Sequence, residues 1–188
     1  IENRKSATGL DTAGHIADTF TKGLGWLERH RSEPFFLFLH TYQVHAPYVP
    51  PDNHAFSSPP NANLAQLESD RYDGEIAYTD TWVARLIARI EELVPSDDTI
   101  IVVTSDHGEE FGEHGGRTHG AQIISEVVHV PIMFHAPGIL PTGVRRTGPM
   151  SLADLMPTLL DLVDLPIPDG LDGHSLSGHL KTGHPVIH

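Results

Sequence analysis

Asp106 and His107 stand side by side after an Ile- and Val-rich run, residues 99–104, and just before Gly108. One carboxylate oxygen and one imidazole nitrogen at such a point can ligate the same hard or borderline divalent cation. Taken alone, Asp-His-Gly better suits a strand-end aspartate that caps a turn beside an exposed histidine, and its context favours ligation. The stretch 106–119 adds Glu109, Glu110, Glu113, His114 and His119 among Gly108, Gly112, Gly115 and Gly116, glycines that let backbone approach a ligand closely. Glu109 and Glu110 are expected on a solvated face, and His114 as a direct participant or as a partner of one. His119, further along and followed by Gly120, is placed to meet an anionic substrate or leaving group. His45, in Val44-His45-Ala46-Pro47-Tyr48, comes six residues after a second apolar run, residues 35–39. It is suited to protonate a leaving oxygen or hold an anion, or else is a loop histidine packed on Pro47 and Tyr48. Asp106 and His107 are thus the candidate metal ligands, and His45 and His119 the candidate catalytic residues. Glu75 and Asp80 read as structural, Arg117 as a surface cation and Asp154 as a helix cap. His30, His54, His129, His135, His174, His179, His184 and His188 receive no role.

Positioning these groups requires a frame, and the apolar periodicity supplies one. Ile16, Phe20, Leu24 and Leu27 recur at helical spacing and predict an amphipathic helix over about 12–31, ended by Pro34. The run 35–39 (Phe-Phe-Leu-Phe-Leu) predicts a strand covered on both faces, and 41–60 a loop. Ile76, Val83, Leu86, Ile87, Ile90 and Leu93 share one face of a helix that starts near Leu64 and closes at Pro95. A second buried strand is expected over 99–104, a short helix over 121–126, a third strand over 130–134, and a helix over 152–163 containing Pro157. Strands alternating with helices predict an α/β fold with a mostly parallel sheet flanked by helices. In such sheets ligands gather beyond the carboxyl ends of strands, where both polar segments fall.

Length and composition restrict the function. With 188 residues and 39% hydrophobic residues, the chain is expected to form a single domain with a real core. Twelve Lys and Arg against 25 Asp and Glu leave a formal charge of −13, which disfavours nucleic acid and anionic membranes as partners. An anionic substrate then calls for local positive charge, and 14 histidines lean the composition towards metal chemistry. The absence of Cys excludes disulfides, thiolate metal sites and a Cys nucleophile within this chain. No apolar stretch approaches the roughly 20 residues that span a bilayer. Ile1-Glu2-Asn3-Arg4-Lys5 is neither a start Met nor a signal peptide, so the chain is expected to be an internal piece of a longer protein.

Together these residues resemble the sulfatases of the alkaline phosphatase superfamily. The segment 34–40 with His45-Ala46-Pro47-Tyr48 resembles the sulfatase strand and its His-x-Pro-Tyr loop, and 71–80 the helix before the metal-binding strand. Residues 98–115, with Ser105-Asp106-His107-Gly108 at their centre, carry the most specific likeness. Glu126 through Pro131, Pro137-Gly138, 152–160 and 171–176 continue it in order. The resemblance implies an α/β fold of the alkaline phosphatase type and hydrolysis of sulfate esters of small molecules or glycans. It implies that Asp106 and His107 bind a divalent cation, calcium first, with manganese and zinc as the alternatives that His107 keeps open where many members carry Asn. It implies that His45 contacts the sulfate or the leaving oxygen, and that His119 stands where many members place a sulfate-binding Lys. A periplasmic or extracellular location would fit the family.

The sequence also departs from the family pattern. Sulfatases use a formylglycine made from Cys or Ser in a Cys/Ser-x-Pro-x-Arg motif; Ser32-Glu33-Pro34 and Ser57-Ser58-Pro59 both lack the Arg. The paired Asp ligands near the family's amino terminus have no counterpart either. The chain is therefore expected to be the later part of one catalytic domain, without appreciable turnover alone, because binding groups without a nucleophile form no covalent intermediate. The rivals are a phosphodiesterase, phosphonate hydrolase or phosphoethanolamine-type transferase of the same superfamily, and a degenerate non-catalytic domain.

Overall fold

The computed structural model describes residues 14–120 and 122–183. Expectations for residues 1–5, for Ala121 and for His184 and His188 lie outside the described residues. The chain divides into two compact units, one within Ile1–Val94 and Glu109–Val128, the other within Pro95–Gly108 and His129–His188.

In the first unit, α1 (Ile16–His30) buries Ile16, Phe20, Gly23 and Leu27, one stripe at helical spacing. Each large apolar side chain in that stripe contributes about 1.5–3 kcal/mol by leaving water. α1 packs along α2 (Leu64–Leu93), which buries Gly74, Glu75, Leu86 and Ile90. Asn63 starts α2 by accepting the Gln66 N–H, and Arg89 of α2 reaches Glu28 of α1 at 2.8 Å. Residues 35–39 run extended beside α1 but form no strand. Their side chains alternate: Leu37 and Leu39 are half-buried, while Phe36 and Phe38 are 79% and 75% exposed. Gly23 makes the approach possible, since a Cβ there would sit 2.6 Å from Leu39 Cδ2. The apolar run is thus covered on one face rather than two, which corrects the expected buried strand.

The second unit contains β1 (Ile101–Thr104) and β2 (Ile132–His135), paired with Ile101 opposite His135 and Thr104 opposite Ile132. The pair is antiparallel, and among the described residues it is the whole sheet. The expectation of a mostly parallel sheet is therefore not met there. Alternation of apolar runs does not distinguish a crossover from a return strand, and here the Thr104 hydroxyl, donating to Pro131 O at 2.9 Å, ties the end of β1 to the start of β2.

The core of this unit is Ala136, Leu140 and Leu162, with Ile100, Phe134, Ile139 and Leu180 against them. Gly138 lets the turn after β2 approach Asp97, whose O would lie 2.5 Å from a Cβ. α4 (Leu155–Leu162) follows a 3₁₀ turn, Leu152–Asp154, and Pro157 is buried in its first turn, where its missing N–H costs nothing. Asp154 closes a capping box with Ser151 and accepts the His174 N–H at 2.9 Å, which is the capping role read from the sequence. Arg146 donates to Leu180 O near the end of α5 (Ser177–Thr182), where cations suit the helix dipole. α3 (Ser125–Val128), in the first unit, lies two to four residues later than expected.

Candidate functional site

Asp106 and His107 follow the carboxyl end of β1 directly, in the second unit. His107 Nδ1 donates to Gly108 O at 2.8 Å, which leaves the lone pair on Nε2. That nitrogen lies 3.8 Å from Asp106 Oδ1, a separation that two ligands at about 2–2.5 Å from one cation can span. The Asp106 side chain is 71% exposed, so an ion has access. One hard oxygen and one borderline nitrogen fit a divalent cation chemically. No group of three or more His, Cys, Asp or Glu arranged for a metal occurs among the described residues.

His45 and His119 both belong to the first unit, and their rings are 5.3 Å apart, edge to face. His45 sits in an exposed loop whose Ala46–Pro47 bond is cis, and its Nδ1 donates to Ala46 O at 2.8 Å. The loop is fastened to α2 on both sides of His45. Gln43 Nε2 donates to Glu75 Oε2 at 2.6 Å, and the Val49 N–H to Glu75 Oε1 at 2.9 Å. Glu75 is thus a buried carboxylate that ties the loop to α2. Gly74 beside it leaves room for Pro50 and His54 O, each 2.8 Å from where a Cβ would be.

Glu109 and Glu110 depart most from expectation. Both are buried rather than solvated, and each is satisfied by long-range or loop donors. Glu109 accepts the Tyr48 hydroxyl on Oε2 and lies 3.1 Å from His119 Nδ1 through Oε1. Glu110 Oε1 accepts the N–H groups of His114 and Gly116 at 3.0 and 2.9 Å, while its backbone bridges Thr118. This carboxylate folds the Gly-rich loop back upon itself. A side chain at Gly116 would collide with Glu110 Oε2. Burial, then the bond to Glu109, pushes the Tyr48 phenol up, so it remains a neutral donor. His114 lies beside Glu126, Nε2 to Oε2 3.1 Å, and Arg117 pairs with Glu68 rather than standing alone. Tyr48, Glu68, Glu110, Phe111 and Arg117 line a pocket of about 260 Å³.

Residues 3–165 match the family model described as Sulfatase. The chain belongs to the sulfatase family. It is 32% identical over 130 residues to an ulvan-active sulfatase of Formosa agariphila, a match covering 68% of this chain and 25% of that protein. Among solved structures, phosphonate monoester hydrolase SpPMH from Silicibacter pomeroyi is 25% identical, with a TM-score of 0.75 over 97% of this chain and 46% of that one. BT4656, in complex with its substrate D-glucosamine-2-N,6-O-disulfate, is 28% identical, with a TM-score of 0.57 over 63% of this chain and 24% of that one. The fold is thus that of the alkaline phosphatase-like sulfatases, and the chain spans about a quarter of the length of the ulvan-active relative. No helix of the described residues is long and apolar enough to cross a membrane.

Proposed function

We propose that this sulfatase-family chain provides cation ligands and substrate-side imidazoles for hydrolysis of a carbohydrate sulfate ester, both units belonging to one catalytic domain. The observation that supports this most is the donor pair Asp106 Oδ1 and His107 Nε2, 3.8 Å apart after β1, in a chain matched to the family from residue 3 to residue 165. Asp106 and His107 would hold a divalent cation, calcium first and manganese or zinc as alternatives. When bound, such an ion supplies charge stabilisation to an anionic ester and its nucleophile. Formylglycine is the nucleophile that the family implies, and its motif is not among these 188 residues.

The roles of the remaining residues follow from their hydrogen bonds. His45, anchored through Nδ1, presents Nε2 and can protonate the departing alkoxide oxygen. His119, whose Nδ1 lies 3.1 Å from Glu109 Oε1, would supply positive charge to an anionic ester when protonated. Arg117, Tyr48 and Phe111 offer a cationic and aromatic wall suited to a sugar ring bearing anionic groups. The ulvan-active relative and the sulfated glucosamine in the BT4656 complex favour a glycan or monosaccharide sulfate.

The likeness to SpPMH supports a second reading, a phosphonate monoester as substrate. Because binding needs no nucleophile, calorimetric titration of an aryl sulfate, a sulfated glucosamine and an aryl phosphonate monoester into the purified protein, with and without chelator, separates the two. Tighter, metal-dependent binding of the sulfate esters supports the proposal; preference for the phosphonate overturns it.

A further inference from the structure

The pocket of about 260 Å³ in the first unit has a wall with several tied members and one exchangeable ion pair. Ala46 and Thr118 belong to its lining and are the sequence neighbours of His45 and His119, whose rings lie 5.3 Å apart. A sugar whose ester meets those imidazoles therefore reaches the pocket with its other substituents. Tyr48 is held through its hydroxyl on Glu109, and its ring lies 5.8 Å from that of Phe111. The Thr118 N–H donates to Glu110 O at 2.9 Å. Arg117 is held differently: it pairs across 49 residues of sequence with Glu68 of α2, the two side chains being 45% and 29% exposed. A pair as open as this changes an equilibrium constant by only about twofold to fivefold. The guanidinium nevertheless acts inside the pocket, because burial, first, and Glu109 push the Tyr48 phenol up while Arg117 opposes them.

We propose that Arg117 is a specificity-determining residue: a second anionic substituent on the sugar, a sulfate or a carboxylate, takes the guanidinium from Glu68 and seats the ring in this pocket. The identity of the group held at the imidazoles rests on the sulfate-ester reading. A guanidinium grips either oxyanion through two parallel N–H donors, which a neutral hydroxyl does not match, so the exchange favours an anion. Glu68 is the resident competitor. Its exposure lets the released carboxylate turn to water instead of staying buried without a partner. Glu110, whose Oε1 accepts the N–H groups of His114 and Gly116, keeps its place during the exchange. Tyr48 and Phe111 supply aromatic surface for the apolar side of the sugar.

Calorimetric titration of methyl glucoside 6-sulfate and methyl glucoside 2,6-disulfate, with calcium present, reads the effect of the second substituent. Wild type is expected to bind the disulfate about tenfold more tightly. Arg117→Gln is expected to bring the two affinities within about twofold of each other. Glu68→Gln is expected to tighten the disulfate about threefold and to leave the monosulfate unchanged. In the double variant that gain is expected to vanish, which a merely structural role for Glu68 would not produce. A ¹⁵N–¹H spectrum supplies a readout without any ester. The Arg117 Nε–H signal, assigned by its loss in Arg117→Gln, is expected to shift with methyl glucuronide, which carries a carboxylate, and to stay in place with methyl glucoside. Equal affinity of wild type for the two sulfated sugars, weaker disulfate binding in Glu68→Gln, or an Arg117 signal unmoved by the glucuronide overturns the proposal. If neither sulfated sugar binds, the sulfate-ester reading falls and the glucuronide spectrum still decides the exchange at Arg117. If a variant does not fold, the wild-type affinities and spectrum decide it.

Discussion

Replacing Glu75 by alanine should loosen the loop that carries His45 before it disturbs either helix. The carboxylate is 2% exposed and is shared by Gln43 Nε2 and the Val49 N–H at 2.6 and 2.9 Å, one donor on each side of His45. Hydrogen bonds to a charged group contribute about 1.5–3 kcal/mol each, and removing the acceptor strands both donors in a half-buried setting. Because the bonds share one partner they do not simply add, which places the loss at about 3–5 kcal/mol. For a chain of this length that corresponds to a Tm lower by about 10 °C. Glu75→Gln, which keeps one good acceptor, should lose about half as much. Differential scanning fluorimetry measures both shifts, and hydrogen exchange should show faster exchange at the Val49 amide than in the rest of the unit. A Tm within about 2 °C of wild type in Glu75→Ala would show that the two bonds do not fasten the loop.

Other expectations follow from the same kind of reasoning. Glu110→Gln keeps only part of the acceptor that His114 and Gly116 share, so limited proteolysis should cut the loop at 112–118 faster than in wild type; an unchanged rate would mean that other contacts fold the loop. The hydroxyls of Ser175, first, and Ser177 hold the Asp161 carboxyl below its ordinary range. A depressed carboxylate stabilises the fold above its unfolded pKa of about 3.9 and loses that contribution as pH falls through the folded value. The Tm difference between wild type and Asp161→Asn should therefore be largest near neutral pH and shrink below about pH 4; a difference constant from pH 7 to 2 would contradict this.

The Asp106 and His107 donor pair is legible in the sequence because its signals are local. Asp106 and His107 adjoin an Ile-Val run, and His107 is oriented by the next residue's carbonyl, so no distant contact is needed to place the pair. α1 and the start of α2 were readable from apolar periodicity. The errors lie where distant partners decide the outcome. Glu109 looked solvated because nothing nearby in sequence reveals Tyr48 as its donor, and Glu110 because its own loop must fold before it becomes an acceptor. Two adjacent glutamates among glycines and histidines were the available hint. The run 35–39 suggested a two-sided strand because composition does not show which face is covered; the close approach of Leu39 to Gly23 of α1 marks the covered one.

The central claim is that Asp106 and His107 hold a cation that sulfate-ester hydrolysis requires. Calorimetric titration of calcium, manganese and zinc into the protein compares wild type with the double variant Asp106→Ala and His107→Ala. The account predicts at least a 100-fold loss of cation affinity in a variant whose Tm in the absence of metal is unchanged. Cation binding equal to wild type in that variant would contradict it.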